Sequence, residues 1–289
     1  MRTRNKKRLS IAIIAVFVLA LLAGCGGNSK DAAGGGSYSD LMIMPGVELA
    51  PEEYAVAFRV GSDAVPEVNK IIEGLNSDGT LAGIAETYEL TYSMLSGPDM
   101  KASAVDMGRT EAGDLAYIKG KGSIKIGITI FAPMNYYEEG SSKLIGFDTE
   151  FAEAVCAKLG VTPEFVEINW DTKEIELAAK NIDCIWNGLT VTEDRRENME
   201  FTYSYIKNKQ VVVIRKADEK KFTTVESLAG AKLCAEIGSA GEEAIMNDPK
   251  LSSAPYTAMA KQTDTLMEVK AGTSDAAVLD YTAAKALVG

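Results

Sequence analysis

The sequence predicts an α/β protein divided into two lobes, on three observations. From Asp114 onward, short apolar runs suited to strands alternate with segments of helical period. Residues 25–289, in a chain that is 46% hydrophobic, suffice for a large core shared between two lobes. The continuous apolar run Gln210–Ile214 (QVVVI) suits a buried strand and is expected to cross between the lobes.

The elements follow in chain order. Residues 1–24 read as a lipoprotein signal peptide. Arg2, Arg4, Lys6, Lys7 and Arg8 precede the apolar run Leu9–Gly24, which falls short of the ~20 residues a membrane-spanning helix needs. Leu22-Ala23-Gly24-Cys25 resembles a bacterial lipobox, which makes Cys25 the expected lipidation site and membrane attachment point. The glycine-rich stretch 25–36 is then a flexible tether. Residues 1–24 hold five of the 30 basic side chains and none of the 41 acidic ones, so the remainder is strongly acidic. That charge argues against nucleic acid as a partner and suits an exported protein.

Past the tether, Asp40–Met44 is a short strand closed by Pro45, and Tyr54–Val60 is a second strand. Val68, Ile71, Ile72 and Leu75 stand at helical spacing in a helix from Ala64 to Leu75, and another helix ends near Leu90. Thr91–Gly113 has no sustained period and reads as a linker. Strand Ser123–Ile130 leads to a helix over Phe147–Leu159, with Asp148 as its expected cap and Gly160 as its stop. Strand Glu164–Ile168, helix Asp171–Ala179 and strand Ile182–Trp186 complete this half. A short helix at Thr223–Ala229, with Thr223 and Glu226 at capping-box spacing, opens the next. Strand Lys232–Glu236, helix Ala240–Met246 and strand Ala276–Leu279, ending at Asp280, finish the chain.

Besides Cys25, the cysteines Cys156, Cys184 and Cys234 have no close spacing and give neither a metal signature nor a clear disulfide framework. Cys156 and Cys184 read as buried small residues. The chain has no histidine, which removes the commonest general base and transition-metal ligand. No metal and no cofactor is expected.

The sharpest cluster is Asn187–Arg195 (NGLTVTEDR), where a strand end delivers backbone groups and threonine hydroxyls to the mouth of a helix. Thr192 suits its cap, Glu193 and Asp194 complement its positive end, and Arg195 offers a planar fork for a carboxylate. Ile237-Gly238-Ser239-Ala240-Gly241-Glu242 is a glycine-rich turn into another helix, with Ser239 and Glu242 at capping-box spacing.

These residues resemble the amino-acid type of bacterial extracellular solute-binding proteins, family 3, the substrate-binding lipoproteins of ABC transporters. The resemblance implies a two-lobed, type II periplasmic-binding-protein-like fold. Gly188, Thr190 and Arg195 stand where that family holds a ligand's α-carboxylate, with Asn187 beside them for a side-chain amide or hydroxyl. Asp280 stands where it holds the α-ammonium, and Ser239 and Ala240 face the carboxylate from the opposite lobe. Phe131 and Trp170 occupy the places of its aromatic walls, with core packing as the alternative for each. Gly146-Phe147-Asp148 resembles a structural turn of the family.

The blocks stand in a rearranged order. Tyr54–Leu90 resembles the family's closing segment and Ser123–Thr192 its opening, so a circular permutation is expected. Lobe II then takes residues 37–53 and 215–289, lobe I takes 54–90, 91–113 is the linker, and 114–214 completes lobe I and the hinge. The resemblance implies an extracytoplasmic, membrane-anchored protein that delivers a small amino acid to an ABC transporter permease and works as a monomer. Gly127-Ile128-Thr129 lacks the acid that relatives binding cationic amino acids often carry, whereas Glu236 pulls the other way; a polar amino acid is expected. Three alternatives stay open. One is an exported enzyme on the same fold, with Glu236, Glu138 or Tyr136 as acid or base; another is a sensory binding protein; the third is a broken tandem fusion that swaps lobes between chains.

Overall fold

A computed structural model describes residues 38–109 and 112–288. The expected signal peptide, Cys25 and the tether lie outside the described residues. Among the described residues twelve strands appear in chain order: β1 (Leu41–Tyr54), β2 (Ala57–Arg59), β3 (Ser123–Ile128), β4 (Tyr136–Tyr137), β5 (Leu144–Ile145), β6 (Thr162–Glu167), β7 (Cys184–Ile185), β8 (Met199–Phe201), β9 (Ile206–Arg215), β10 (Leu233–Glu236), β11 (Tyr256–Met259) and β12 (Ala276–Asp280).

They build two separate five-stranded sheets, each the centre of one lobe. The first runs β6-β3-β7-β2-β8 and the second β1-β9-β12-β10-β11, while β4 and β5 form a small hairpin. In the first sheet β3 pairs in parallel with β6 and β7, and β2 closes antiparallel on β7 and β8. In the second, β10 pairs in parallel with β11 and β12, and β9 runs antiparallel between β12 and β1. The strand ends that carry ligand-facing residues in open α/β sheets are the carboxyl ends. Here those are the ends of β7, β10 and β12.

The apolar run Gln210–Ile214 lies wholly inside β9, hydrogen-bonded on one edge to β1 and on the other to β12. Its continuous apolarity reflects burial on two faces within one sheet, not the crossing expected of it. The chain crosses between sheets at Tyr54–Ala57 and Phe201–Ile206. There the Thr202 N–H donates to Val56 O, the Tyr205 N–H donates to Tyr54 O, and the Val56 N–H donates to the Thr202 hydroxyl. Strand β1 is also longer than expected. Pro45-Gly46 does not end it, because a register shift between Ile43 and Glu48 absorbs the irregularity and pairing then resumes to Tyr54.

The linker of 91–113 is partly built into the first lobe. A short helix, Gly97–Ala102, buries Met100, and the Leu95 N–H donates to Tyr205 O. The Arg109 guanidinium donates to the carbonyls of Arg196 and Glu197 and lies 3.4 Å from Glu200. Residues 38 and 288 sit together, since Tyr38 and Val288 form an isolated parallel bridge.

Helix Phe147–Leu159 occupies its expected span and ends at Gly160 in the left-handed region, φ 79°. Its buried face joins Phe151, Trp186 and Tyr205, with Phe151 edge-on to both partners at 5.0 and 5.2 Å between centroids. Asp148 does not cap this helix. It lies in the first turn, fully buried, and its Oδ2 accepts the Gly188 N–H at 2.6 Å. The capping box expected at Thr223 and Glu226 falls one residue later, on Thr224 and Ser227. Cys156, Cys184 and Cys234 are buried, and they form no disulfide.

Candidate functional site

The strand end after β7 is set by two buried anchors. Gly188 has φ 56°, and a Cβ there would stand 2.6 Å from Phe131 Cε1 and 3.2 Å from the Tyr54 ring. Only glycine allows this backbone to lie against both rings. Asp148 fixes the same turn from below. Burial pushes its carboxyl up to about 7, opposed by the Gly188 N–H and by the Tyr205 hydroxyl.

Asn187 is placed differently from expectation. Its Nδ2 donates to Thr129 O and Asn135 Oδ1, and its Oδ1 accepts the Thr129 N–H and hydroxyl. Both donors and both acceptor positions are used inside the first lobe, so its amide group ties β3 to β7 and has no free donor for a ligand.

Thr192 caps the helix Glu193–Asn198, its hydroxyl accepting the Arg195 N–H at 3.2 Å. That cap aims Arg195 at the space between the sheets. One terminal nitrogen donates to Thr190 O at 2.7 Å, and the other donates across to Gly238 O at 3.1 Å on the second lobe. Lys173 makes a parallel link, its ammonium donating to Gly238 O at 2.9 Å while lying 5.0 Å from the Trp170 ring centre. Burial and the Arg195 charge lower the Lys173 ammonium to about 8.

On the second lobe, Ser239 caps helix Ala240–Asn247, accepting the Glu242 N–H, while the Glu242 carboxylate accepts the Gly238 N–H at 2.7 Å. Asp280, at the end of β12, is held by several donors. Its Oδ1 accepts Tyr54 Oη at 2.7 Å, Asn208 Nδ2 at 2.7 Å and Gln210 Nε2 at 3.0 Å, and its Oδ2 accepts Gln262 Nε2. Glu52, near the end of β1, accepts the Thr190 hydroxyl, Gln210 Nε2 and Asn208 Nδ2. Burial and the neighbouring Asp280 push the Glu52 carboxyl well above the usual range.

Several of these groups line one narrow space between the lobes. Phe131, Trp170, Asn187, Gly188, Thr190 and Arg195 line it from the first lobe, and Glu236, Ser239, Ala240 and Asp280 from the second. All nine residues singled out in the sequence as ligand-facing therefore meet in one cavity. In this closed arrangement the free volume is about 10 Å³, room for about one water, so the lobes must part to admit a ligand. Sequence reasoning missed Glu52, Lys173, Asn208, Gln210 and Gln262. Alternation along β9 was the one available signal, since Asn208 and Gln210 share a face. No group of His, Cys, Asp and Glu among the described residues suits a metal ion.

Two α/β lobes closed on one polar cavity, with a cation on one wall and a carboxylate on the other, define a two-lobed solute-binding protein of type II. Residues 124–283, more than half of the chain, match the family of bacterial extracellular solute-binding proteins, family 3, and the chain belongs to it. The L-cystine-binding protein of Escherichia coli K12 is 25% identical over 154 residues, 53% of this chain and 56% of that protein. The L-cystine-binding protein of Bacillus subtilis 168 is 33% identical over 126 residues, 40% of this chain and 47% of that one. The chain thus spans about half the length of the curated relatives it matches.

Among solved structures, an ABC uptake transporter substrate-binding protein from Streptococcus pneumoniae with bound histidine has a TM-score of 0.56 and 32% identity. The match covers 61% of this chain and 73% of that one. An ancestral amino acid-binding protein, a precursor of cyclohexadienyl dehydratase, has a TM-score of 0.57 and 26% identity over 60% and 76% of the two chains. No helix among the described residues is long and apolar enough to cross a membrane.

Proposed function

We propose that this protein captures one polar amino acid between its lobes as the extracytoplasmic, lipid-anchored binding component of an ABC transporter, and delivers it to the permease. The opposition of Arg195 and Asp280 across one enclosed cavity carries this reading. An α-carboxylate fits the remaining Arg195 donors and the N-terminus of helix Ala240–Asn247, where backbone N–H groups favour an anion. An α-ammonium fits Asp280, and Phe131 and Trp170 offer apolar faces to the stem between. Cys25 supplies the anchor. Binding without turnover is supported by membership of a solute-binding family. Of Glu236, Glu138 and Tyr136, Glu236 alone lines the cavity.

A thermal-shift screen against the common amino acids tests the capture. A ligand at 100 times its dissociation constant adds ~2.7 kcal/mol of stability. Stabilisation by none of them would contradict the reading.

The chain order is read as a circular permutation. Residues 38–109 lie outside the 124–283 match, yet they supply β1, β2 and the helices Ala64–Ser77 and Thr80–Thr87. The bridge between Tyr38 and Val288 joins the two ends where an unpermuted chain would run through. Both five-stranded sheets are built from the described residues of one chain, so sedimentation as a monomer is expected, and an obligate dimer would support lobe exchange instead.

A further inference from the structure

Glu236 and Asp280 end neighbouring parallel strands, β10 and β12, and both border the cavity, yet they are held very differently. Asp280 accepts hydrogen bonds from Tyr54, Asn208, Gln210 and Gln262. The Glu236 carboxylate, in a residue only 4% exposed, accepts none from any described residue. Lys173 lies near enough to feel its charge, but the ammonium is already committed to Trp170 O and Gly238 O and does not border the cavity.

A buried carboxylate without a partner is costly, and it either takes up a proton or waits for a cation. The charges of the ligand's head group leave Glu236 over. In the amino-acid reading, Arg195 meets the α-carboxylate and Asp280 meets the α-ammonium. We propose that Glu236 selects the ligand's side chain, and that the protein takes an amino acid whose side chain ends in a cation. This rests on the amino-acid reading and narrows it. The absence of an acid after β3 had argued against a basic ligand; Glu236 supplies one from the opposite lobe.

The environment of the group agrees. Burial pushes the Glu236 carboxyl up to about 8, with Asp280 and Asp264 acting in the same direction and Lys173 and Lys261 against them. Near neutral pH the empty site therefore holds a proton on Glu236, and a ligand cation beside the carboxylate displaces it.

Calorimetric titration of the protein with L-arginine, L-lysine and L-ornithine, against the uncharged isosteres L-citrulline and L-norleucine, tests this. The wild type is expected to favour a basic amino acid over its isostere by about tenfold or more, equivalent to about 1.4 kcal/mol. Glu236→Gln should erase that preference while citrulline still binds. Tighter binding of L-citrulline or L-cystine than of all three basic ligands overturns the proposal. So does an equal loss for charged and uncharged ligands in Glu236→Gln, which would assign Glu236 to the α-ammonium. Binding by no amino acid of any class overturns the amino-acid reading itself, and this inference with it. Should the variant fail to fold, the wild type still decides. Titrations in buffers of different ionisation enthalpy should show net proton release on binding the favoured basic ligand and none with its isostere, and no release overturns the proposal.

Discussion

Arg195→Ala is expected to lower amino-acid affinity by ~100-fold or more, about 3 kcal/mol, while leaving the ligand-free fold intact. Arg195 is the only cation bordering the cavity among the described residues, and its capped helix aims it there. A charged hydrogen bond to a carboxylate contributes ~1.5–3 kcal/mol, and a bidentate fork makes two. Removing it also leaves the Asp280 carboxylate bordering the cavity with no cation opposite it. The fold has less to lose. The guanidinium is nearly fully buried, and burial lowers its affinity for a proton, so relief of desolvation offsets the lost bonds to Thr190 and Gly238. Calorimetric titration and melting of the same variant separate the two effects. An unchanged affinity would remove Arg195 from the carboxylate site.

The ligand-free protein is expected to lose stability steadily from pH 5 to pH 8. Three buried carboxyls drive this: Asp148 is pushed up to about 7, Glu236 to about 8, and Glu52 well above its usual value, all chiefly by burial. In an unfolded chain such groups titrate near ~4. Between those values the folded state binds more protons than the unfolded one, so stability is full below the unfolded pKa and falls as pH rises through the folded pKa. Each group contributes a slope of up to about 1.4 kcal/mol per pH unit while that difference lasts. The chain has no histidine, so no imidazole obscures the window. Carboxyls held low, such as Asp275 and Asp63, act below it, and Lys173, lowered to about 8, acts above it. For a chain of this size the melting temperature should fall by on the order of 10 °C between pH 5 and 8. A flat or rising profile over that range would contradict the assignment of buried, protonated carboxyls.

Local pattern carried much of this architecture. Helices Ala64–Ser77, Phe147–Leu159 and Ala240–Asn247 were legible because apolar spacing and capping residues act within one or two turns. The caps at Thr192 and Ser239 were legible for the same reason. Asp148 misled because a carboxylate at a helix start has two uses, and the sequence cannot display the Gly188 N–H that wins it. Asn187 looked available because its four hydrogen bonds go to Thr129 and Asn135, more than 50 positions away. Glu52 and Lys173 were missed on similar grounds. Each is an ordinary charged residue in a polar stretch, and its place in the site is set by lobe-to-lobe contact.

The central claim is that one amino acid is held, unaltered, between the lobes. Its most direct measurement is equilibrium dialysis of the protein with the amino acid that stabilises it most, followed by recovery and chemical analysis of the bound molecule. We expect saturable binding of one molecule per chain, with the amino acid recovered unchanged after prolonged incubation. Recovery of a converted product, or no saturable binding, would contradict the account.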